Sequence, residues 1–247
     1  MEVIKIDKRN GIPYYLQLAS ILGHQIEKGG FSTGDKLPSE KELSAVYRVN
    51  RHTVRQAIGK LVSRGLAYRE KGRGTFVCPP AREVVHYRYA RRHRFTQNIL
   101  ELGLTPEAKV LQVLETLVPP QAAEKLRLSP TEKVVILEIL RFASHAPFCL
   151  STVHIPALRV IGLHKRIKDF TSLYELLEKA YGLKPVRLRS VFHAAFPSVE
   201  DALALQVPVD QPILKVESLM VTEDGIPVEY SLSRFRSDRC KISVDFI

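Results

Sequence analysis

The chain has 247 residues, 26% of them charged, with 37 Lys and Arg against 26 Asp and Glu for a formal net charge of +11 at pH 7. That length buries one large core or two ordinary ones, and the basic excess points to a polyanionic partner. There is no run of about 18 apolar residues and no C-x-x-C spacing among Cys78, Cys149 and Cys240, which argues against a membrane span, a zinc site and a disulfide framework. A cytoplasmic protein without signal peptide, metal or cofactor is the expectation. The charge is uneven. Residues 1–78 hold 14 basic and 7 acidic side chains, residues 79–94 five Arg and one Glu, and residues 95–247 18 of each sign. An electroneutral majority behind a basic N-terminal third suits a DNA-binding domain joined to something else better than a general RNA-binding protein.

In chain order, the first predicted helix spans about residues 13–28, with Leu18, Ile21, Leu22 and Ile26 inward. A second, within 37–49, opens on Ser39 and Glu42, the S-x-x-E spacing of a capping box, and buries Leu43, Val46 and Tyr47. A third, 50–64, reads NRHTVRQAIGKLVSR. Val54, Ala57, Ile58, Leu61 and Val62 form its inner face, Asn50 is placed to cap it, and Arg51, His52, Arg55 and Gln56 gather at its N-terminal end. That is the end a helix-turn-helix protein inserts into the major groove. Taken alone, this helix is equally a surface helix with solvated arginines. Residues 66–77 then read as two short strands around Lys71-Gly72-Arg73-Gly74, a charged wing. The ordered series predicts a winged helix-turn-helix over residues 1–78.

Pro79-Pro80 ends the wing, and 79–94 lacks clear periodicity and reads as a linker, a solvated tether in preference to a phosphate contact. From 95 to 247 the pattern is mixed α and β. Residues 95–103 suggest a short helix, 107–118 and 133–143 strands, and 147–156 a hairpin partner. Residues 172–182 form a helix with Leu173, Leu176, Leu177 and Ala180 inward. A strand at 186–196 and a helix capped by Ser198 follow, then a hairpin with Asp224-Gly225 as a two-residue turn, and a last strand near the C-terminus. The fold class expected is α+β, an antiparallel sheet with helices on one side.

The segments IPYYLQLASIL, GDKLPSEKELSAVYRVNRHTVRQAIGKLVSRGL and GRGTFV resemble the GntR family of bacterial transcription regulators. RFTQNILELGLTP, ILRFASHAPFCLSTVHIP and GIPVEYSLSRFRSDR are similar to the UTRA effector-sensing domain of its HutC branch, and FTQNILELG and VEYSLSRFRSDR look most like regulators of phosphonate metabolism. The resemblance implies a chorismate-lyase-like antiparallel sheet in the second domain. It also implies a homodimer on a double-stranded operator, and a repressor released by a small anionic effector, phosphonate or phosphate-like.

The DNA-binding candidates are Lys41, Arg51, His52, Thr53, Arg55, Arg73 and Gly74. Arg51 suits a guanine edge, bidentate to O6 and N7. Family members commonly carry arginine where Lys41 stands, so the lysine keeps the charge and loses the bidentate geometry. The effector candidates are Phe95, Thr96, Arg141, Ser151, His154, Arg187, Glu229, Ser231 and Ser233. Phe95 and Thr96 begin a helix whose N–H groups suit an anion; Arg187 and Arg189 share a strand face by i, i+2 spacing; Glu229, Ser231 and Ser233 share another, with Tyr230 opposite. The plainer alternatives are solvent-facing arginines and a structural His154. Some sugar-phosphate-sensing relatives carry a second arginine two residues before the position of Arg141; here Ile139 stands there, against a sugar phosphate. Two other classes stay open. A lyase-like enzyme fused to a DNA-binding domain would need a positioned acid–base pair or nucleophile, and no nucleophile elbow, H-E-x-x-H or Walker loop is found. A sequence-independent architectural protein would have no use for an electroneutral second domain.

Overall fold

The computed structural model describes residues 5–7, 9–78, 84–92, 94–167 and 172–244, in two compact units that divide after residue 83. The first unit contains α1 (Tyr14–Glu27), α2 (Glu40–Tyr47), α3 (Arg51–Ser63) and a hairpin of β1 (Ala67–Glu70) and β2 (Gly74–Val77). Leu18 and Leu22 of α1, Leu43 and Tyr47 of α2, and Val54, Ile58 and Leu61 of α3 make one core, closed by Ala67 and Val77 of the hairpin. Both short helices start where their caps dictate. The Ser39 N–H donates to Glu42 Oε2 at 2.7 Å while the Glu42 N–H donates to Ser39 Oγ at 3.3 Å, and the Thr53 N–H donates to Asn50 Oδ1 at 2.8 Å. Such caps contribute about 1 kcal/mol each. Arg48, at φ 53°, ends α2 in the left-handed region and turns the chain into α3. In the wing, Glu70 pairs with Gly74, whose φ of 130° and lack of a side chain let Lys36 lie against it; a Cβ there would meet Lys36 Cε at 2.7 Å. This is the winged helix-turn-helix expected.

The second unit runs in the order β3 (Val85–Arg88), α4 (Phe95–Glu101), β4 (Pro106–Leu117), α5 (Pro120–Leu126), β5 (Lys133–Ala143), β6 (Ala146–Pro156), α6 (Leu163–Arg166), α7 (Leu173–Tyr181), β7 (Val186–Ala195), α8 (Val199–Leu205), β8 (Ile213–Val221), β9 (Pro227–Arg236) and β10 (Cys240–Ser243). Its six-stranded sheet is antiparallel in the order β4-β5-β6-β9-β8-β7. Side chains alternate across it. On one face Leu137, Ile139, Val153 and Ile155 pack under α6 and α7, while Phe148, Cys149, Val216 and Phe235 pack under β3, α4 and β10.

Helices cover both faces, not one. On the reverse face α8 packs Ala202 and Leu205 on Leu140, Leu150 and Ile213, and α5 packs Ala122 and Leu126 on Val134 and Tyr230. The helix α5, seven residues opened by proline at its first position, is too short to leave a clear periodicity in the sequence.

The stretch read as a linker is also different where it is described. Residues 85–88 are a strand, parallel to β10, with Val85 opposite Cys240 and Arg88 opposite Ser243. Val85, Tyr87 and Tyr89 are buried and alternate with exposed His86 and Arg88, a period of two that the surrounding arginines conceal. Residues 79–83 and 93 lie outside the described residues. Finally, the tight hairpin joins β5 to β6: Ser144 and His145 both take positive φ, 47° and 65°, between the paired Ala143 and Ala146. The Asp224-Gly225 turn belongs to a longer loop, closed by the Thr222 N–H donating to the Ile226 carbonyl at 2.8 Å.

Candidate functional site

On the first unit, Arg51, His52 and Arg55 are exposed on α3, Lys41 on α2, and Arg73 and Gly74 at the wing; Thr53 is half-buried, its N–H taken by the Asn50 cap. The cations differ in what holds them. Arg55 reaches back to α2 in a bidentate pair, Nη2 to Glu40 Oε2 at 3.1 Å and Nε to Oε1 at 3.3 Å, and its hydrogen bonds hold the Glu40 carboxyl below its ordinary range. Arg73 pairs with Glu70 across the wing turn and lies 5.6 Å over the Phe76 ring. Arg51 makes no hydrogen bond or ion pair among the described residues, so nothing must be broken before it meets a base edge.

The second unit gathers seven of the nine effector candidates around one cavity of about 50 Å³: Phe95 of α4, Arg141 of β5, Ser151 of β6, Arg187 of β7, and Glu229, Ser231 and Ser233 of β9. Two are elsewhere. Alternation puts Ser151 and Val153 at the cavity and turns His154 to the reverse face, where its Nδ1 lies 3.3 Å from the Tyr230 carbonyl; burial lowers its pKa. Thr96 follows Phe95 on α4 without lining the cavity. Arg189 does not share the face of Arg187. A β-bulge lies between them, Arg187 opposite Met220 and Arg189 opposite Leu219, so Arg189 turns to the reverse face with Glu217 and Tyr230 while Ser190 and Phe192 stay on the side of Arg187.

Three charged groups define the cavity. Arg187 Nη1 donates to the Ala90 carbonyl at 2.6 Å and its guanidinium lies 3.9 Å over the Tyr89 ring, leaving Nε buried without a partner among the described residues. Arg141 stacks 5.4 Å over Phe95 and makes no hydrogen bond or ion pair with any described residue. Glu229 is only 2% exposed; its Oε1 accepts from the Tyr174 hydroxyl at 3.0 Å and its Oε2 has no hydrogen-bond partner among the described residues. Burial raises the Glu229 pKa, against the pull of the Tyr174 and Ser231 hydroxyls and the two guanidiniums. Ser151 and Ser233 share a hydrogen bond at 2.9 Å on the floor.

Tyr87, Tyr89, Tyr174, Cys149, Val153 and Phe235 complete the wall and were not foreseen. For Tyr87 and Tyr89 the alternation within β3 was the available signal. Tyr174, on α7 between inward Leu173 and the polar face, carried none. Among the described residues no group of three His, Cys, Asp or Glu is arranged to hold a metal ion, and no helix is long and apolar enough to cross a membrane.

A family model for the UTRA domain matches residues 101–241, and one for bacterial regulatory proteins of the gntR family matches residues 14–77. The chain belongs to the GntR regulators that carry a UTRA domain. The HTH-type transcriptional repressor NagR of Bacillus subtilis (strain 168) is 28% identical over 238 residues, 96% of each chain. The probable transcriptional regulator PhnF of Escherichia coli (strain K12) is 29% identical over 233 residues, 94% of each. The crystal structure of PhnF from Mycobacterium smegmatis matches with a TM-score of 0.61 at 23% identity, over 93% of this chain and 99% of that one, and shows the common fold. This GntR protein is thus a DNA-binding transcription regulator, with PhnF among the regulators it is similar to.

Proposed function

We propose that this GntR regulator is a repressor, a cytoplasmic homodimer released from a palindromic operator by a small phosphonate or phosphate-like oxyanion bound between Arg141 and Arg187. The observation that carries the reading is the pair of guanidiniums at one cavity, Arg141 with no hydrogen bond or ion pair to a described residue and Arg187 with its Nε unpaired among the described residues. A half-buried guanidinium without an anion is costly, and a tetrahedral oxyanion offers both forks matching oxygens. The relatives named as regulators favour sensing over turnover, and NagR, named a repressor, favours repression.

On the DNA, Arg51 reads a guanine. Lys41, His52, Thr53 and Arg55 meet phosphates or neighbouring bases, and Arg73 and Gly74 the minor groove or backbone. Release requires that the ligand favour one arrangement of the chain over another. Arg187 holds residues 84–92 through its bond to the Ala90 carbonyl and through its own N–H, which donates to the Arg91 carbonyl at 3.0 Å. That segment follows the DNA-binding unit directly in sequence, so a ligand that draws on Arg187 acts on chain continuous with the wing.

The test is binding to the DNA upstream of this gene and its neighbours, at fixed salt, with and without phosphonates, phosphate esters and urocanate. Specific binding lost with one phosphonate or phosphate ester supports the reading. Specific binding strengthened by ligand removes repression, release by urocanate alone removes the phosphonate class, and absence of any specific complex removes the operator.

A further inference from the structure

We propose that the effector is a zwitterion, an oxyanion that also carries an ammonium group a short chain away, and that Glu229 receives the ammonium. This rests on the oxyanion reading of the same cavity and adds what the third charged group there does.

Glu229 is the acid of the cavity, 2% exposed, with the Tyr174 hydroxyl on one oxygen and no hydrogen-bond partner among the described residues on the other. A buried carboxylate oxygen without a donor is a standing cost that a ligand can remove. The cavity's own cations do not remove it: Arg187 is turned to Ala90 and Tyr89, Arg141 to Phe95, and neither forms an ion pair with Glu229. An oxyanion seated against both arginines adds a second negative group to the same small space and repels Glu229. Three ligand chemistries meet this differently. A plain alkyl phosphonate leaves Oε2 without a donor and the repulsion in place. A hydroxyl supplies the donor and leaves the repulsion. An ammonium supplies the donor and offsets the repulsion, leaving two cations and one anion of the protein facing an anion and a cation of the ligand. Phe95, Tyr87, Val153 and Phe235 add apolar surface to the wall, which suits a short apolar spacer.

The experiment is calorimetric titration of the full-length protein with 2-aminoethylphosphonate, 2-hydroxyethylphosphonate and ethylphosphonate, repeated on Glu229→Gln, which keeps an acceptor for Tyr174. The wild type should hold the amino compound about tenfold more tightly than either of the others, the size of one charge-assisted hydrogen bond. In Glu229→Gln that preference should fall to near one, with ethylphosphonate bound as well as before or better, since the repulsion has gone. Equal wild-type affinity for all three, a hydroxyl compound as tight as the amine, or a preference that survives Glu229→Gln overturns the zwitterion while leaving an oxyanion site. Binding of none of the three overturns the oxyanion site itself and the zwitterion with it. The wild-type comparison decides even if the variant does not fold.

Discussion

Replacing Arg141 with alanine separates a ligand-binding arginine from a structural one. In most proteins truncating a half-buried arginine destabilises by orphaning its partner, but Arg141 has no hydrogen-bond or ion-pair partner among the described residues to orphan. What the substitution removes is a cation over the Phe95 ring at 5.4 Å, about 0.5–1 kcal/mol, together with its attraction for the buried Glu229, and it also removes the cost of a half-buried charge without an ion pair. The two offset, and the melting temperature should move by no more than about 2 °C. Ligand release should suffer heavily. A bidentate guanidinium–oxyanion pair consists of two charge-assisted hydrogen bonds, and at the lower end of their range it contributes about 3 kcal/mol, roughly a hundredfold in affinity. The assay is fluorescence anisotropy of a labelled operator titrated with the releasing phosphonate, alongside thermal melts of the free protein. Arg187→Ala is the contrast, since it also loses the Ala90 bond and the Tyr89 stack and should lower both release and melting temperature. A release midpoint within about threefold of wild type for Arg141→Ala, or a melting loss equal to that of Arg187→Ala, would refute the assignment of Arg141 as a ligand-facing group.

Arg51→Ala should abolish the preference for the operator over scrambled DNA, a loss of about 1–3 kcal/mol in a competition assay, with the non-specific affinity little changed. Arg92→Ala with Arg94→Ala should leave the slope of log affinity against log salt unaltered, whereas each phosphate contact truly lost would lower it by about 0.9. Asp201→Ala should destabilise the second unit by about 3 kcal/mol in urea melts. It strips the buried Arg234 of a carboxylate at 3.2 Å and leaves it Thr152 and the more distant Glu138. Glu229→Gln should be as stable as wild type near the ordinary carboxylate pKa of 4.5 and more stable at pH 7. A pKa raised by burial means that the folded state disfavours the charged form, so the wild type loses stability as pH climbs through the raised value and the amide does not. Melting curves of both proteins across that range check the sign.

The DNA-binding unit was legible because its signals are local. A capping box, an asparagine cap and an i, i+3, i+4 stripe each specify a few consecutive residues, and Ser39, Asn50 and Val54 act in the fold as those rules require. The strands and most helices of the second unit were legible for the same reason. The cavity was legible only in part, because it is built by register. Arg141, Ser151 and Glu229 meet through strand order, and one bulge decides that Arg187 faces the cavity and Arg189 does not. A period of two cannot announce where it slips by one residue. His154 failed by the opposite route: the alternation was regular, and a choice of polar residues by type ignored it. Tyr174 reaches Glu229 from a helix more than 50 residues earlier in the chain, a contact that only the tertiary fold creates.

The charge of residues 79–94 belongs in part to the second unit. By sequence, its five arginines extend the basic N-terminal third toward a longer DNA footprint. In the structure Arg92 lies 2.8 Å from Glu223 and Arg94 lies 2.9 Å from Glu178, both within the second unit. The Arg92 pair is exposed and worth little. The Arg94 pair is about two-thirds buried at both ends, and its hydrogen bond is the leading cause of the lowered Glu178 pKa. These two arginines therefore answer carboxylates of the domain that an electroneutral count leaves balanced on its own. Counted by unit, that domain is itself basic, and the excess that steers toward DNA rests on the winged unit. There, Arg51 is exposed and unpaired among the described residues while Arg55 and Arg73 are already held by Glu40 and Glu70. Two of the five arginines that lengthen a footprint read from net charge alone are thus paired with carboxylates of the second unit.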